Sequence, residues 1–178
     1  MYVKAYIDYL VYFNGYRDYF ECHEVLEEQW KEDKEHKWVG LIQLAVGLYH
    51  FRRDNTVGAL RMLKSSKKLI LSYEKEISKL LIDTNQLIKE LDEVIVRIET
   101  SKPYKDITIP LIDVNLFKKC EILCTENGYS WGNPSNLQEE YLIHKHTKRD
   151  RTDVISERNK QLEVKRQKKS KTLKKFDN

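Results

Sequence analysis

Phe20-Glu21-Cys22-His23-Glu24-Val25-Leu26-Glu27-Glu28-Gln29-Trp30 puts ionisable side chains where an amphipathic helix should bury hydrocarbon. At about 100° per residue, Tyr19, Phe20, Leu26 and Trp30 define one apolar face, His23 and Glu27 fall within it, and Glu24 lies on its border. Glu21 and Glu28 point to water. Asp18 is an N-cap, with Glu21 three residues on completing an acidic variant of the capping box. The pattern predicts a helix that begins at Asp18, fades over residues 31–37 and carries a buried polar cluster into a helix–helix seam.

The partner for that seam is the next stretch, residues 38–53, which is apolar on nearly every side and so predicts the central, most buried helix. Its exceptions are Gly40, Gln43, Gly47 and His50, which recur at steps of three and four and form one stripe. Glycines there let a neighbouring backbone approach, while Gln43 and His50 need hydrogen-bond partners. If this helix packs antiparallel to the preceding one, Gln43 and His50 are presented toward His23, Glu24 and Glu27.

Working outward, residues 2–13 show helical spacing, and Asn14-Gly15 supplies a left-handed turn to end that helix. Asn55 lies in a capping cluster before a fourth helix that reaches about Tyr73, and Asp83 or Thr84 caps a fifth that ends near Thr100. Pro103 and Pro110 bracket Tyr-Lys-Asp-Ile-Thr-Ile, which favours an extended arm laid along the bundle. A short helix over residues 116–125, a turn-rich aromatic loop over 127–134 and a helix entered near Leu137 complete the pattern. The expectation is an all-α protein: a bundle of about five core helices in residues 1–100, then an extended arm, short helix and aromatic loop in 101–136, then a basic helical or partly disordered tail in 137–178.

Composition agrees, since six glycines and three prolines among 178 residues leave room for long helices, and 40% hydrophobic content suffices for a core. The net charge of +4 conceals an asymmetry. Residues 145–178 hold thirteen Lys and Arg against five Asp and Glu, a net of +8, which leaves −4 for residues 1–144. There is no apolar run long enough to span a bilayer, and the N-terminal residues lack the basic-then-apolar layout of a signal peptide, so the expected compartment is the cytoplasm. Cys22, Cys120 and Cys124 match neither a disulfide framework nor a Cys-x-x-Cys zinc pattern and are read as reduced thiols.

The Phe-Glu-x-His-Glu-x-Leu-Glu run at Phe20–Glu27, the segment Gly40-Leu41-Ile42-Gln43 through Tyr49-His50, and Asn55 followed by Gly58-Ala59 resemble domain-of-unknown-function family 309, closely over residues 8–75 and more loosely to about 116. The resemblance implies a small all-helical fold and carries over no catalytic residue, because that family has no established activity. Cys22 stands where the family pattern has alanine.

Two functional readings follow. The first is a protein-interaction or ligand-binding module in which His23, Glu24, Glu27, Gln43 and His50 form a satisfied buried network that fixes helix register. The second is a metal-dependent enzyme, such as a hydrolase, centred on His23, Glu24, Glu27 and His50, with a divalent metal held by His23, Glu27 and His50. His-Glu-x-x-Glu is not the His-Glu-x-x-His of zinc proteases, so this reading needs a second imidazole from another helix. In the tail, Lys165, Arg166, Lys168, Lys169 and Lys171 are the groups that would meet nucleic-acid or other anionic phosphates, although the absence of interleaved aromatics favours a solvated helix or a docking arm.

Overall fold

The computed structural model describes residues 2–148 and residue 163. Lys165, Arg166, Lys168, Lys169 and Lys171 lie outside the described residues. Among the described residues the regular structure is helical, apart from one isolated antiparallel bridge between Ile82 and Leu111. None of the described helices is long and apolar enough to cross a membrane.

The chain begins with α1 (Lys4–Val11), which runs on into a single π-helical turn at Tyr12–Tyr16. This replaces the left-handed Asn14-Gly15 turn that the sequence suggests. The residue in the left-handed conformation is Arg17, with φ 57°. Gly15 is small for a different reason: a Cβ there would lie 2.4 Å from Cys124 Sγ. Asp18 then caps α2 (Tyr19–Asp33) by accepting from the Glu21 amide at 3.1 Å, as its position predicts.

Helices α3 (His36–Arg52) and α4 (Thr56–Ser72) form the closest pair, and glycine makes that approach possible. A Cβ on Gly47 would meet the Leu63 side chain at 2.6 Å, one on Gly40 would meet Ile70 at 3.3 Å, and Ser66 donates to the Gly40 carbonyl at 2.7 Å. Asn55 caps α4 through the Gly58 amide at 3.0 Å. The short α5 (Glu74–Ser78) precedes α6 (Thr84–Glu99), whose cap is Asp83. After the arm comes α7 (Val114–Glu126), two residues longer at its start than spacing suggests, because Asp113 caps it by accepting from the Leu116 amide at 2.6 Å. One further turn, α8 (Glu140–Ile143), ends the unit Met1–His144; in the separate unit Lys145–Asn178, Lys145–Lys148 forms a helical turn, α9.

The extended arm is built into the core. Ile107 and Ile109 are 4% and 1% exposed, on the same face of the extended chain. Asn14, itself wholly buried, treats Ile109 as a neighbouring strand would: its Nδ2 donates to the Ile109 carbonyl at 3.1 Å and its Oδ1 accepts from the Ile109 amide at 2.9 Å. Arg17, 2% exposed, extends the same clasp by donating to the carbonyls of Phe13, Ile107 and Asn133 and to Thr108 Oγ1. On the arm's other side the Asp83 amide donates to Pro110 and the Ile112 amide to Leu81, at 3.0 and 2.9 Å.

Replacing Asn14 with alanine removes both bonds and leaves two buried backbone groups unpaired, each worth about 1–3 kcal/mol. The expected loss in urea unfolding of Asn14→Ala is about 2–4 kcal/mol with an unchanged m-value. A loss below about 1 kcal/mol would mean that the arm is not part of the cooperative unit.

Candidate functional site

Three of the five residues singled out in the sequence come together on the outer flank of α2. His23 Nδ1 lies 3.0 Å from Glu24 Oε1, and its Nε2 lies 3.2 Å from Glu27 Oε2. Lys31 completes the row with Nζ 2.8 Å from the other Glu27 oxygen. The i to i+4 steps are those of neighbours on a helix surface, so this group is local in origin. His23, Glu24 and Glu27 can each turn one ligand atom to within 4.8 Å of the others.

The cluster is not buried. The side chains of His23, Glu24 and Glu27 are 32%, 37% and 34% exposed. The face that α2 buries is centred instead on Tyr19, Cys22 and Leu26, each 0% exposed, and Phe20 and Trp30 are only half-buried. Cys22 thus occupies the middle of the apolar stripe, where its thiol points to the Tyr9 carbonyl at 3.6 Å and burial pushes its pKa well up.

Gln43 and His50 are elsewhere, and helical geometry gives the reason. They sit on the flank of α3 that Gly40 and Gly47 give to α4, whereas α2 approaches near Tyr49, whose ring centroid is 6.4 Å from that of Phe20. Gln43 is about 60° around the helix from Gly40 and about 120° from Tyr49. His50 accordingly pairs with the α4 cap, its Nδ1 3.1 Å from Asn55 Nδ2, and takes no part in the His23 group. Gln43 Oε1 is buried without a hydrogen-bond partner. The five-residue network and the His23, Glu27 and His50 metal triad are therefore not assembled.

The two imidazoles differ in electrostatics as they do in place. The hydrogen bond to Glu24, helped by the charges of Glu27 and Glu24, raises the His23 pKa above its ordinary value although burial and Lys31 oppose it. Burial, then Arg53 and Arg61, lower that of His50. His23 therefore keeps its proton to higher pH than His50 does, and both of its ring nitrogens face carboxylates.

A second polar centre, which the sequence reading did not find, lies where the arm meets α2 and α3. Asp106 accepts from Tyr19 OH at 2.7 Å, Tyr104 OH at 2.5 Å, and the amide and hydroxyl of Ser135, both at 2.6 Å. Burial would raise its pKa, but those hydrogen bonds outweigh it and hold the carboxyl below its usual value. Arg52, 6% exposed, lies 4.6 Å from the Tyr19 ring centroid and donates to the Arg17 carbonyl at 2.7 Å and to Ser135 Oγ at 3.0 Å. The sequence signal was weak: a charged residue at a helix C-terminus reads as a dipole partner, and the extended arm predicted between the two prolines carries no marker of what Asp106 would meet.

Comparison with known proteins places this geometry in context. The profile of the family described as "Domain of unknown function (DUF309)" matches residues 6–62, which include α2 and α3 in full. A protein of Bacillus subtilis (strain 168) described as "Uncharacterized protein YpuF" is similar along nearly the whole chain, 50% identical over 174 residues that span 96% of this chain and 99% of that protein. No solved structure matches the chain.

Proton NMR titration should resolve the two imidazoles on opposite sides of the free value of about 6.5, His23 above and His50 below. Glu24→Gln should bring His23 down toward the free value and leave His50 unmoved. Since the folded pKa of His23 is the raised one, its contribution to stability is complete below the unfolded pKa and is lost as pH rises through the folded value. Equal pKa values for the two residues would contradict this assignment.

Proposed function

The chain belongs to the DUF309 family, and we propose that it acts as a non-catalytic helical docking module whose α2 face receives a basic segment of another protein. The observation that carries the reading is the make-up of α2. Glu21, Glu24, Glu27, Glu28, Glu32 and Asp33 stand against His23 and Lys31 in fifteen residues, with half-buried Phe20, Val25 and Trp30 among them. Acidic groups around partly exposed aromatics are a common way to steer and then anchor a basic partner. The His23–Glu24–Glu27 row has a matching role, holding carboxylates in fixed rotamers on a rigid element.

The hydrolase alternative lacks support in this geometry. Both His23 nitrogens are engaged by carboxylates, so it offers no base, and the second imidazole that the metal triad requires is on the other flank of α3. A divalent-cation site at His23, Glu24 and Glu27 is a second reading, favoured by their 4.8 Å clustering. It requires the imidazole to lose the proton that Glu24 and Glu27 stabilise.

The double variant Glu24→Lys, Glu28→Lys should lose at least about tenfold of the proteins that co-purify with the wild type at low salt, while Glu74→Lys, Glu76→Lys on α5 should retain them. Circular dichroism should confirm that both variants are folded. Identical retention by the two variants would overturn the docking proposal. Zinc titration followed at the His23 ring separates the second reading: stoichiometric zinc should leave the ring resonances in place, and a saturable shift that His23→Ala abolishes would put the cation site in place of the docking face.

A further inference from the structure

A cavity of about 330 Å³ lies beside the clasp, and none of its lining residues belongs to α2. Its wall includes Arg17, Lys105, Asp106, Thr108 and Ser135. We propose that this cavity binds a small tetrahedral oxyanion, either free phosphate or the phosphate group of a small monoester.

The argument starts from the charge of Arg17. Its side chain is almost wholly buried, and its hydrogen-bond partners are all neutral: the carbonyls of Phe13, Ile107 and Asn133, and the hydroxyl of Thr108. Those four bonds use four of the five guanidinium N–H groups and leave one Nη2 hydrogen unspent. A buried cation is ordinarily matched by an anion in direct contact, because its desolvation is otherwise uncompensated.

The nearby carboxylates make hydrogen bonds to groups other than Arg17. Asp106, the carboxylate in the wall, accepts four hydrogen bonds from Tyr19, Tyr104 and Ser135. Asp18, next to Arg17 in the chain, accepts from the Glu21 amide as the α2 cap. Arg52 adds a second buried guanidinium through Ser135 Oγ and the Arg17 carbonyl, and its Nε has no partner. Lys105 adds an exposed ammonium at the wall. The lining therefore carries two cations against one carboxylate whose lone pairs are in use.

Size and donor geometry select the ligand. A cavity at the lower end of the ligand-site range admits a small molecule and excludes a large cofactor. A planar guanidinium edge with a free N–H, a flexible ammonium and a hydroxyl is a donor set suited to a doubly charged oxyanion with several acceptor oxygens. The Thr108 hydroxyl accepts from Arg17 at 3.1 Å and so keeps its own proton to donate. The site is independent of the α2 docking face and would survive the failure of that reading.

The test is thermal unfolding and calorimetric titration of the full chain with sodium phosphate and with glycerol phosphate, against sodium chloride at matched ionic strength. Binding to the folded state alone raises Tm in proportion to RT ln(1 + [L]/Kd). A saturable rise with phosphate, the monoester or both, beyond that with chloride, is the expected result, and the stronger of the two arms identifies the source of the phosphate group. Arg17→Lys would be the direct variant but removes the clasp, so Lys105→Ala and Thr108→Val carry the assignment. Each should keep the fold and weaken the affinity by about tenfold, the loss of one charge-assisted bond. A shift no greater than that with chloride overturns the proposal. So does a saturable shift that both variants leave unchanged, since it would place the anion elsewhere, as on the basic residues 145–178.

Discussion

A single buried guanidinium holds together parts of the chain that are far apart in sequence. Arg17 reaches the end of the first helical segment at Phe13, the arm at Ile107 and Thr108, and the aromatic loop at Asn133, while its own carbonyl receives Arg52 from the end of α3. It does so from a left-handed backbone conformation, which costs a side-chain-bearing residue about 1–2 kcal/mol. Several buried hydrogen bonds outweigh that cost, provided all of them form together. With Asn14 clamped on Ile109, the proline-bracketed arm becomes a core element, and Tyr19, Tyr104 and Asp106 gain the hydrogen-bond partners that their hydroxyl and carboxyl groups need.

The helices themselves were legible from local signals. Asp18, Asn55 and Asp83 each cap where sequence rules place a cap, and Gly40 and Gly47 make the close contact that their stripe implies. What those rules could not reach is what depends on partners about a hundred residues away. Asn14-Gly15 satisfies every local criterion for a turn, yet Asn14 is spent on Ile109 and Gly15 on Cys124. Arg17 carries no periodic signal, because its role is to satisfy carbonyls on segments that only the folded chain brings near.

The candidate site divides along the same line. His23 and Glu27 meet because one helical turn separates them, and that was visible in the sequence. Whether α3 adds Gln43 and His50 depended on which flank of α3 faces α2, and a stripe with steps of three and four has no marker for that choice. Of the expected face, Tyr19 and Leu26 are buried, but Cys22 lies between them where His23 and Glu27 were expected, and that rotation was enough to turn a supposed buried cluster into a half-exposed row. Cys22 was the clue: a small apolar thiol suits the centre of a packed face better than an imidazole does.

The central claim is that the Arg17 and Asn14 clasp makes residues 103–112 part of the cooperative core. Native-state hydrogen exchange at the Ile109 amide tests it most directly, because that N–H donates to Asn14 Oδ1 and not to a helix. The account predicts that Ile109 exchanges only through global unfolding, with the same opening free energy as the Leu41 and Leu44 amides in α3. Exchange of Ile109 through a local opening, orders of magnitude faster than those core amides, would contradict it.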